Sequence, residues 1–256
     1  MGGKKLHDQL LPKFKNLDIK CGRDKFFDIL REENLLVKYK KRFIKTTQSY
    51  HRFFTHPNRI QGLPLTRAEQ VFGSDITYIR TKEGSLYLFL ITDLYSKQIM
   101  GWELADNLKA ISAIKALKMA LKNRIYPQRK LIHHSDRGFQ YCSPAYVDLL
   151  NQNGIDISMT TKYDPYENAV AERVNGILKI EYDIAEGFVN QKDAKHEIRY
   201  AIWLYNTDRP HLSCHGLVPV VAHQCENYEL KTWRSKFSNR DMSRLENNKL
   251  FLNDNN

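Results

Sequence analysis

The sequence predicts an α/β fold: a mixed five-stranded sheet flanked by helices, with a small helical region ahead of it. Three observations predict this. Strand-like runs follow one another from residue 70 to 104. Helix and strand patterns then alternate as far as residue 206. The 256 residues are enough for one good-sized core and a smaller appendage.

The small region comes first. Leu6, Leu10 and Leu11 mark a short amphipathic helix, and residues 22–34 place Phe26, Phe27 and Leu30 on one face of a second, with Asn34 as its stop. Such a pair is compatible with a helix-turn-helix remnant. In residues 38–45 periodicity is lost, and four lysines and one arginine mix with Tyr39 and Phe43. That chemistry suits a phosphate backbone, and a solvated linker equally. Turns at His56-Pro57-Asn58 and Gly62-Leu-Pro64 set a boundary near residue 62. The expected division is 1–62 for the basic helical region and linker, 63–224 for the core and 225–256 for a polar tail.

Within the core, strands are predicted at 70–80, 86–93 and 98–104, the first two joined by the turn 82–85. A helix over 110–124 follows, with Ile111, Ile114, Leu117 and Leu121 as its buried stripe and Lys115, Lys118 and Lys122 on a solvated face. Residues 131–135 form a short strand. Ser143-Pro144 reads as a helix start, the serine as N-cap, and Gly154 as that helix's end. A strand at 155–159, a polar loop at 160–166, a helix around 168–179 and a long helix at 191–206 complete the order. This order fits the ribonuclease H-like fold.

Composition narrows the function classes. No apolar run approaches the ~20 residues that span a membrane, and the start lacks the apolar core of a secretory signal. A cytoplasmic protein is expected. Cys21, Cys142, Cys214 and Cys225 form no close pair, so free thiols are expected. His211, Cys214, His215, His223 and Cys225 match no standard zinc spacing, and a structural role is preferred for them. Net charge is +11 and uneven: residues 1–70 hold 16 Lys and Arg against 7 Asp and Glu. A basic front on a nearly neutral body suggests a polyanion-binding arm.

Three acids carry the chemistry. Asp75 lies in the first strand, Asp136 just past the fourth, and Glu172 on the helix after the polar loop, with 35 residues between the last two. Carboxylates brought together from such elements suit two magnesium ions acting on nucleic-acid phosphodiesters. Without cations they would repel, each pair at 4 Å by ~4 kcal/mol at an effective dielectric of ~20. Asn175 and Lys179 share a helical face with Glu172 and are candidate DNA contacts, as are Arg137 and Lys162. An amphipathic helix with a charged outer face would look alike without the other two acids. His133 and His134 are adjacent on a strand and point to opposite faces, so both stay outside the site. Asp93, ending the second strand, is the main competing carboxylate.

The stretches Gly22-Arg-Asp24, Ser74-Asp-Ile-Thr-Tyr-Ile79, Thr92-Asp-Leu-Tyr-Ser96, Gly101-Trp102, His134-Ser-Asp-Arg-Gly-Phe-Gln-Tyr141, Glu167-Asn-Ala-Val-Ala-Glu172, Leu178-Lys179 and Tyr205-Asn-Thr-Asp-Arg-Pro-His211 stand in this order. Together they resemble the OrfB-type transposases of bacterial insertion sequences, whose DDE catalytic core is shared with retroviral integrases. The resemblance implies a ribonuclease H-like core, dependence on magnesium or manganese, and metal-binding roles for Asp75, Asp136 and Glu172. It also implies cleavage at transposon ends and strand transfer into target DNA, with water and then a 3′-hydroxyl as nucleophile. Lys179 falls where the family has a basic residue near the DNA. Double-stranded DNA, homo-oligomers on DNA and a DNA-recognition protein from an upstream frame are the partners implied, at the nucleoid of a cytoplasm. Glu167 stands where the family has Asp, and Phe72 where it has Trp. Family proteins carry more sequence before Gly2-Gly-Lys-Lys-Leu6, so a shortened helix-turn-helix is expected. A nuclease of the same fold and a truncated, non-catalytic DNA-binding inhibitor are the alternatives.

Overall fold

The computed structural model describes residues 2–36, 52–161, 168–185, 187–225 and 228–231. The basic segment 38–45, Lys162, Glu167 and the tail from 232 lie outside the described residues. Three strands come first in the core, β1 (Val71–Thr81), β2 (Gly84–Asp93) and β3 (Ile99–Ala105). After helix α3 (Ala110–Lys122) come β4 (Ile132–Ser135), the one-turn α4 (Phe139–Cys142), α5 (Pro144–Gln152) and β5 (Asp156–Met159). Helices α6 (Ala169–Glu181), α7 (Gln191–Thr207) and α8 (Pro219–Gln224) follow. Ahead of them stand α1 (Gly3–Asn16) and α2 (Arg23–Glu32).

The sheet order is β3-β2-β1-β4-β5. β1, β2 and β3 are antiparallel neighbours, and β4 runs parallel to both β1 and β5. Mixed pairing follows from the connections. Lys82 and Glu83 close the β1–β2 hairpin directly between the paired Thr81 and Gly84, whereas β4 and β5 are each reached through helices, which allow parallel pairing.

Both faces of the sheet are buried, and period-two alternation sorts the side chains between them. On β2, Phe89 and Ile91 enter the core beneath α3 and α5 with Phe72, Leu117 and Tyr146. Leu88 and Leu90 enter the opposite core with Val174, Leu178, Ile198 and Tyr205 of α6 and α7. Burying one such leucine is worth ~1.5–3 kcal/mol.

Helix α3 turns the predicted stripe inward at Leu117, Ile114 and Leu121 but not at Ile111. Its buried residues are Ser112, Ala113, Ala116, Leu117 and Ala120, while Ile111 is 54% exposed. Gly101 on β3 explains this: a Cβ there would lie 2.2 Å from the Ala116 carbonyl oxygen. The missing side chain lets the small-residue face of α3 lie against the strand, and the larger Ile111 turns outward. Ser143 precedes α5 as expected, but its hydroxyl donates to the Gln140 carbonyl at 2.8 Å instead of capping the helix. Helices α4 and α8 had no counterpart in the sequence reading.

The front helices touch the core. Gln9 donates to the Asp208 carbonyl at 3.1 Å. Phe26 and Leu30 are buried between α1 and α2, and Asn34 ends α2 in a left-handed conformation, φ 55°.

Candidate active site

Asp75 sits at an odd position of β1, on the sheet face covered by α6 and α7. Gly73 of β1 pairs with His134 of β4. Asp75 stands two residues beyond Gly73 on β1, and Asp136 is the residue just past the end of β4, so the parallel pairing brings the two acids to the same side of the sheet's edge between these strands. Helix α6 supplies the third. Asn168, the residue before the helix, is buried and donates from Nδ2 to the Ser74 carbonyl at 3.1 Å. That bond pins the start of α6 over β1, and Glu172 falls in the first turn.

The three carboxylates feel one another. Burial first, then Asp136, push the Asp75 carboxyl up to about 7, with Glu172 adding to the rise. Against this, Asn175 Nδ2 donates to Asp75 Oδ2 at 2.6 Å and the Ile76 N–H also favours the charged form. Glu172 is raised as well, by desolvation and by Asp136. Like charges that raise each other's proton affinity mark a place where a cation would lower the energy.

The Asp136 carboxylate is shaped by its own loop. Gly138 N–H donates to Oδ1 at 2.9 Å. A Cβ on Gly138 would lie 3.0 Å from that oxygen and 2.8 Å from Gln140 Oε1. A side chain there would require the Gln140 amide and the Asp136 carboxylate to shift.

Among the described residues, no three His, Cys, Asp or Glu side chains stand close enough together to enclose one ion. The donor chemistry nevertheless fits a hard divalent cation: carboxylate oxygens throughout, and a buried Asn175 Oδ1 with no partner.

The predicted DNA contacts are placed differently from one another. Asn175 is 4% exposed and turned inward to Asp75 instead of outward from α6. Ala171, Val174, Asn175, Ile177 and Leu178 form the buried stripe of α6, and the shared face drawn through Glu172, Asn175 and Lys179 is split by it. Lys179 is half-buried; desolvation lowers its pKa, Asp75 raises it and Arg80 lowers it. Arg137 Nε donates to the Thr160 carbonyl at 2.7 Å, tying the Asp136 loop to the end of β5.

The competing groups have other work. Asp93 is fully buried and accepts from Glu69 N–H at 2.6 Å and Ser96 N–H at 2.6 Å, and from the Ser96 hydroxyl at 2.9 Å. It staples the β2–β3 turn. His133 bridges Ser74 of β1 at 2.6 Å and Tyr146 of α5 at 2.8 Å, and burial, then His134, hold its ring down at about 3. His134 bonds Ser158 of β5 at 2.9 Å. These histidines lock the strands that carry the acids. His211 accepts from Arg209 at 3.1 Å and His223 bonds Ser96 at 2.9 Å, so both join structural networks.

The description "Integrase core domain" matches residues 66–165 and again residues 153–219. The chain is 37% identical over 205 residues to the insertion element IS600 uncharacterized 31 kDa protein of Shigella sonnei, covering 79% of this chain and 75% of that one. It is 35% identical over 203 residues to the transposase InsF for insertion sequence IS3A of Escherichia coli strain K12, covering 78% and 69%. This chain belongs to the insertion-element transposases with an integrase core.

Two solved structures show that the transposase shares the fold of retroviral integrase cores. The simian T-cell lymphotropic virus intasome, solved with PP2A regulatory subunit B56 gamma, superposes with TM-score 0.55 at 17% identity over 92% of this chain and 79% of that one. The HTLV-2 integrase catalytic core domain, solved in complex with magnesium, gives 0.50 at 17% identity over 62% and 99%.

Sequence reasoning named the three acids and missed their supports. Asn168 and Asn175 lie in the quoted motif and its helix, but polarity alone does not say that an asparagine is buried. Glu69, fully buried beneath the β1 entrance and bonded to Arg124 Nε at 2.6 Å, gave no signal at all.

Proposed function

We propose that this transposase cuts DNA at the ends of its element and joins the freed 3′ ends to target DNA, using Asp75, Asp136 and Glu172 as its catalytic acids. The observation that carries the reading is the placement of three carboxylates by β1, the end of β4 and the first turn of α6, which Asn168 pins to β1. The transposase named among its relatives supports the reaction class.

Magnesium or manganese, when bound, would supply Lewis-acid polarisation of the phosphate and a more acidic attacking hydroxyl. Asp75, Asp136 and Glu172 would hold it, an assignment supported by their all-oxygen chemistry and by the magnesium bound to the HTLV-2 core of the same fold. Asn175 Nδ2 orients Asp75 through one of its oxygens, and the Gly138 N–H orients Asp136 in the same way. Lys179 places a positive charge beside Asp75, where a scissile phosphate would be neutralised. The nucleophile comes from water or a DNA 3′-hydroxyl, so no covalent protein–DNA intermediate forms.

Double-stranded DNA is the substrate. Homo-oligomers on DNA and an upstream-frame recognition protein are the partners we assign. Among the described residues no helix is long and apolar enough to cross a membrane, in keeping with action at the nucleoid.

Pre-cleaved element ends incubated with target plasmid and magnesium test the proposal. Joined products should form with the wild type and fall at least 10³-fold with Asp75→Ala. Cleavage without joining would favour a nuclease. An inert wild type that still shifts DNA would favour the non-catalytic inhibitor.

A further inference from the structure

Ser74 stands where the three elements that carry the acids cross. It is fully buried, and the next residue along β1 is Asp75. Its hydroxyl meets Nε2 of His133 on β4 at 2.6 Å. Its carbonyl oxygen accepts from Asn168 Nδ2 at 3.1 Å, at the start of the helix whose first turn carries Glu172. One residue therefore reaches the supports of all three carboxylates, through the chain, its hydroxyl and its carbonyl.

The hydroxyl bond falls where the backbone pairing runs out. β1 and β4 are paired from Val71–Ile132 to Gly73–His134, and both acids lie beyond the last pair. The bond from Ser74 to His133 ties the two strands together at that end. Adjacent strand residues point to opposite faces. The Ser74 hydroxyl therefore points away from the Asp75 carboxylate, into the core beneath α3 and α5, and acts on the acids only through the strands.

The far side of the bond is anchored as well. His133 Nε2 also meets the Tyr146 hydroxyl of α5 at 2.8 Å. Ser74, His133 and Tyr146 are all fully buried, so water does not compete for these bonds. Burial, then His134, hold the ring's pKa down at about 3, which keeps it neutral. Tyr141 of α4 packs its ring 6.1 Å from that of His133 and 5.5 Å from that of Tyr146. This closes the cluster against the segment that follows Asp136. A hydroxyl lost here leaves a buried polar partner unsatisfied, which the strands relieve only by shifting.

We propose that Ser74, acting through His133, is a positioning residue for the reaction: it fixes β1 against β4, and so sets how tightly Asp75 and Asp136 hold a divalent ion together. The inference rests on the reading of Asp75, Asp136 and Glu172 as metal-holding acids. Hydrogen bonds behind metal ligands are worth about 10–100-fold in metal affinity.

The test is manganese binding by calorimetry, on the full chain and without DNA. Ser74→Ala weakens it about 10–100-fold, raises the manganese needed for half-maximal strand joining alike, and leaves duplex affinity in EDTA unchanged. Ile198→Val in the α7 core is the control for stability, each protein being measured equally far below its own melting temperature; it binds manganese as wild type does. His133→Gln, long enough to meet the Ser74 hydroxyl, keeps most of the affinity, and His133→Ala loses it. Wild-type affinity in Ser74→Ala, or equal losses in Ser74→Ala and Ile198→Val, overturns the positioning role and leaves the acid reading intact. Should Ser74→Ala fail to fold, equal affinity in His133→Gln and His133→Ala overturns it in the same way. No manganese binding by wild type, or binding unchanged in Asp75→Asn, overturns the acid reading too.

Discussion

At 2.6 Å from Asp75, the Asn175 amide holds one carboxylate oxygen of the central acid. A hydrogen bond to a charged group is worth ~1.5–3 kcal/mol, so Asn175→Ala should slow strand joining about 10–100-fold. Duplex affinity should change less than twofold, because the residue is buried; a parallel loss of affinity would return it to the DNA surface. Asp75 itself links stability to pH. Its carboxyl is raised from 3.8 to about 7 in the fold, by burial and then by Asp136. The folded state therefore holds a proton that the unfolded state has released, and the metal-free protein loses stability as pH rises from about 4 through about 7. Asp75→Asn removes that loss. In EDTA at pH 8 it should melt several degrees above wild type, and at pH 4 the two should nearly coincide. Equal melting temperatures at pH 8 would show that Asp75 carries no such repulsion.

Between elements, the ion pair Arg209–Glu181 joins the end of α7 to the end of α6. Arg209 is 2% exposed and donates from Nε and Nη2 to Glu181 at 2.7 and 2.8 Å. Burial opposes the Glu181 charge, yet Arg209 holds its carboxyl down at about 2. Removing one partner leaves a buried charge, so Arg209→Ala should cost ~3–5 kcal/mol in urea unfolding; a loss below about 1 kcal/mol would contradict the pairing. Lys5 of α1 lies in the same field, its pKa lowered to about 8 by burial and then by Arg209, which couples the front helices to this joint. The elements were legible where one signal dominated. Strand-like runs at 70–80, 86–93 and 98–104 predicted β1 to β3, whereas the cap of α7, Asn190, whose side chain accepts from Asp193 N–H at 2.9 Å, was not read from the sequence. Most of the buried face of α3 was legible, but its close small-residue contact with β3, and the outward turn of Ile111, depend on Gly101 of another strand. The site divides the same way. Its acids were legible as carboxylates in a spaced motif, whereas the inward turn of Asn175 depends on how α6 meets β1.

Across the molecule, parallel β1 and β4 set two acids side by side, and α6, pinned by Asn168, brings the third over them. Along the sequence, basic residues are concentrated in 1–70, ahead of the elements that carry the acids. Anomalous diffraction from a crystal of the wild-type transposase soaked in manganese would test the central claim most directly. Manganese peaks should lie within bonding distance of the Asp75, Asp136 and Glu172 carboxylates, and vanish from that position in Asp136→Asn crystals soaked alike. Peaks found only elsewhere, or unchanged at that position in Asp136→Asn, would contradict it.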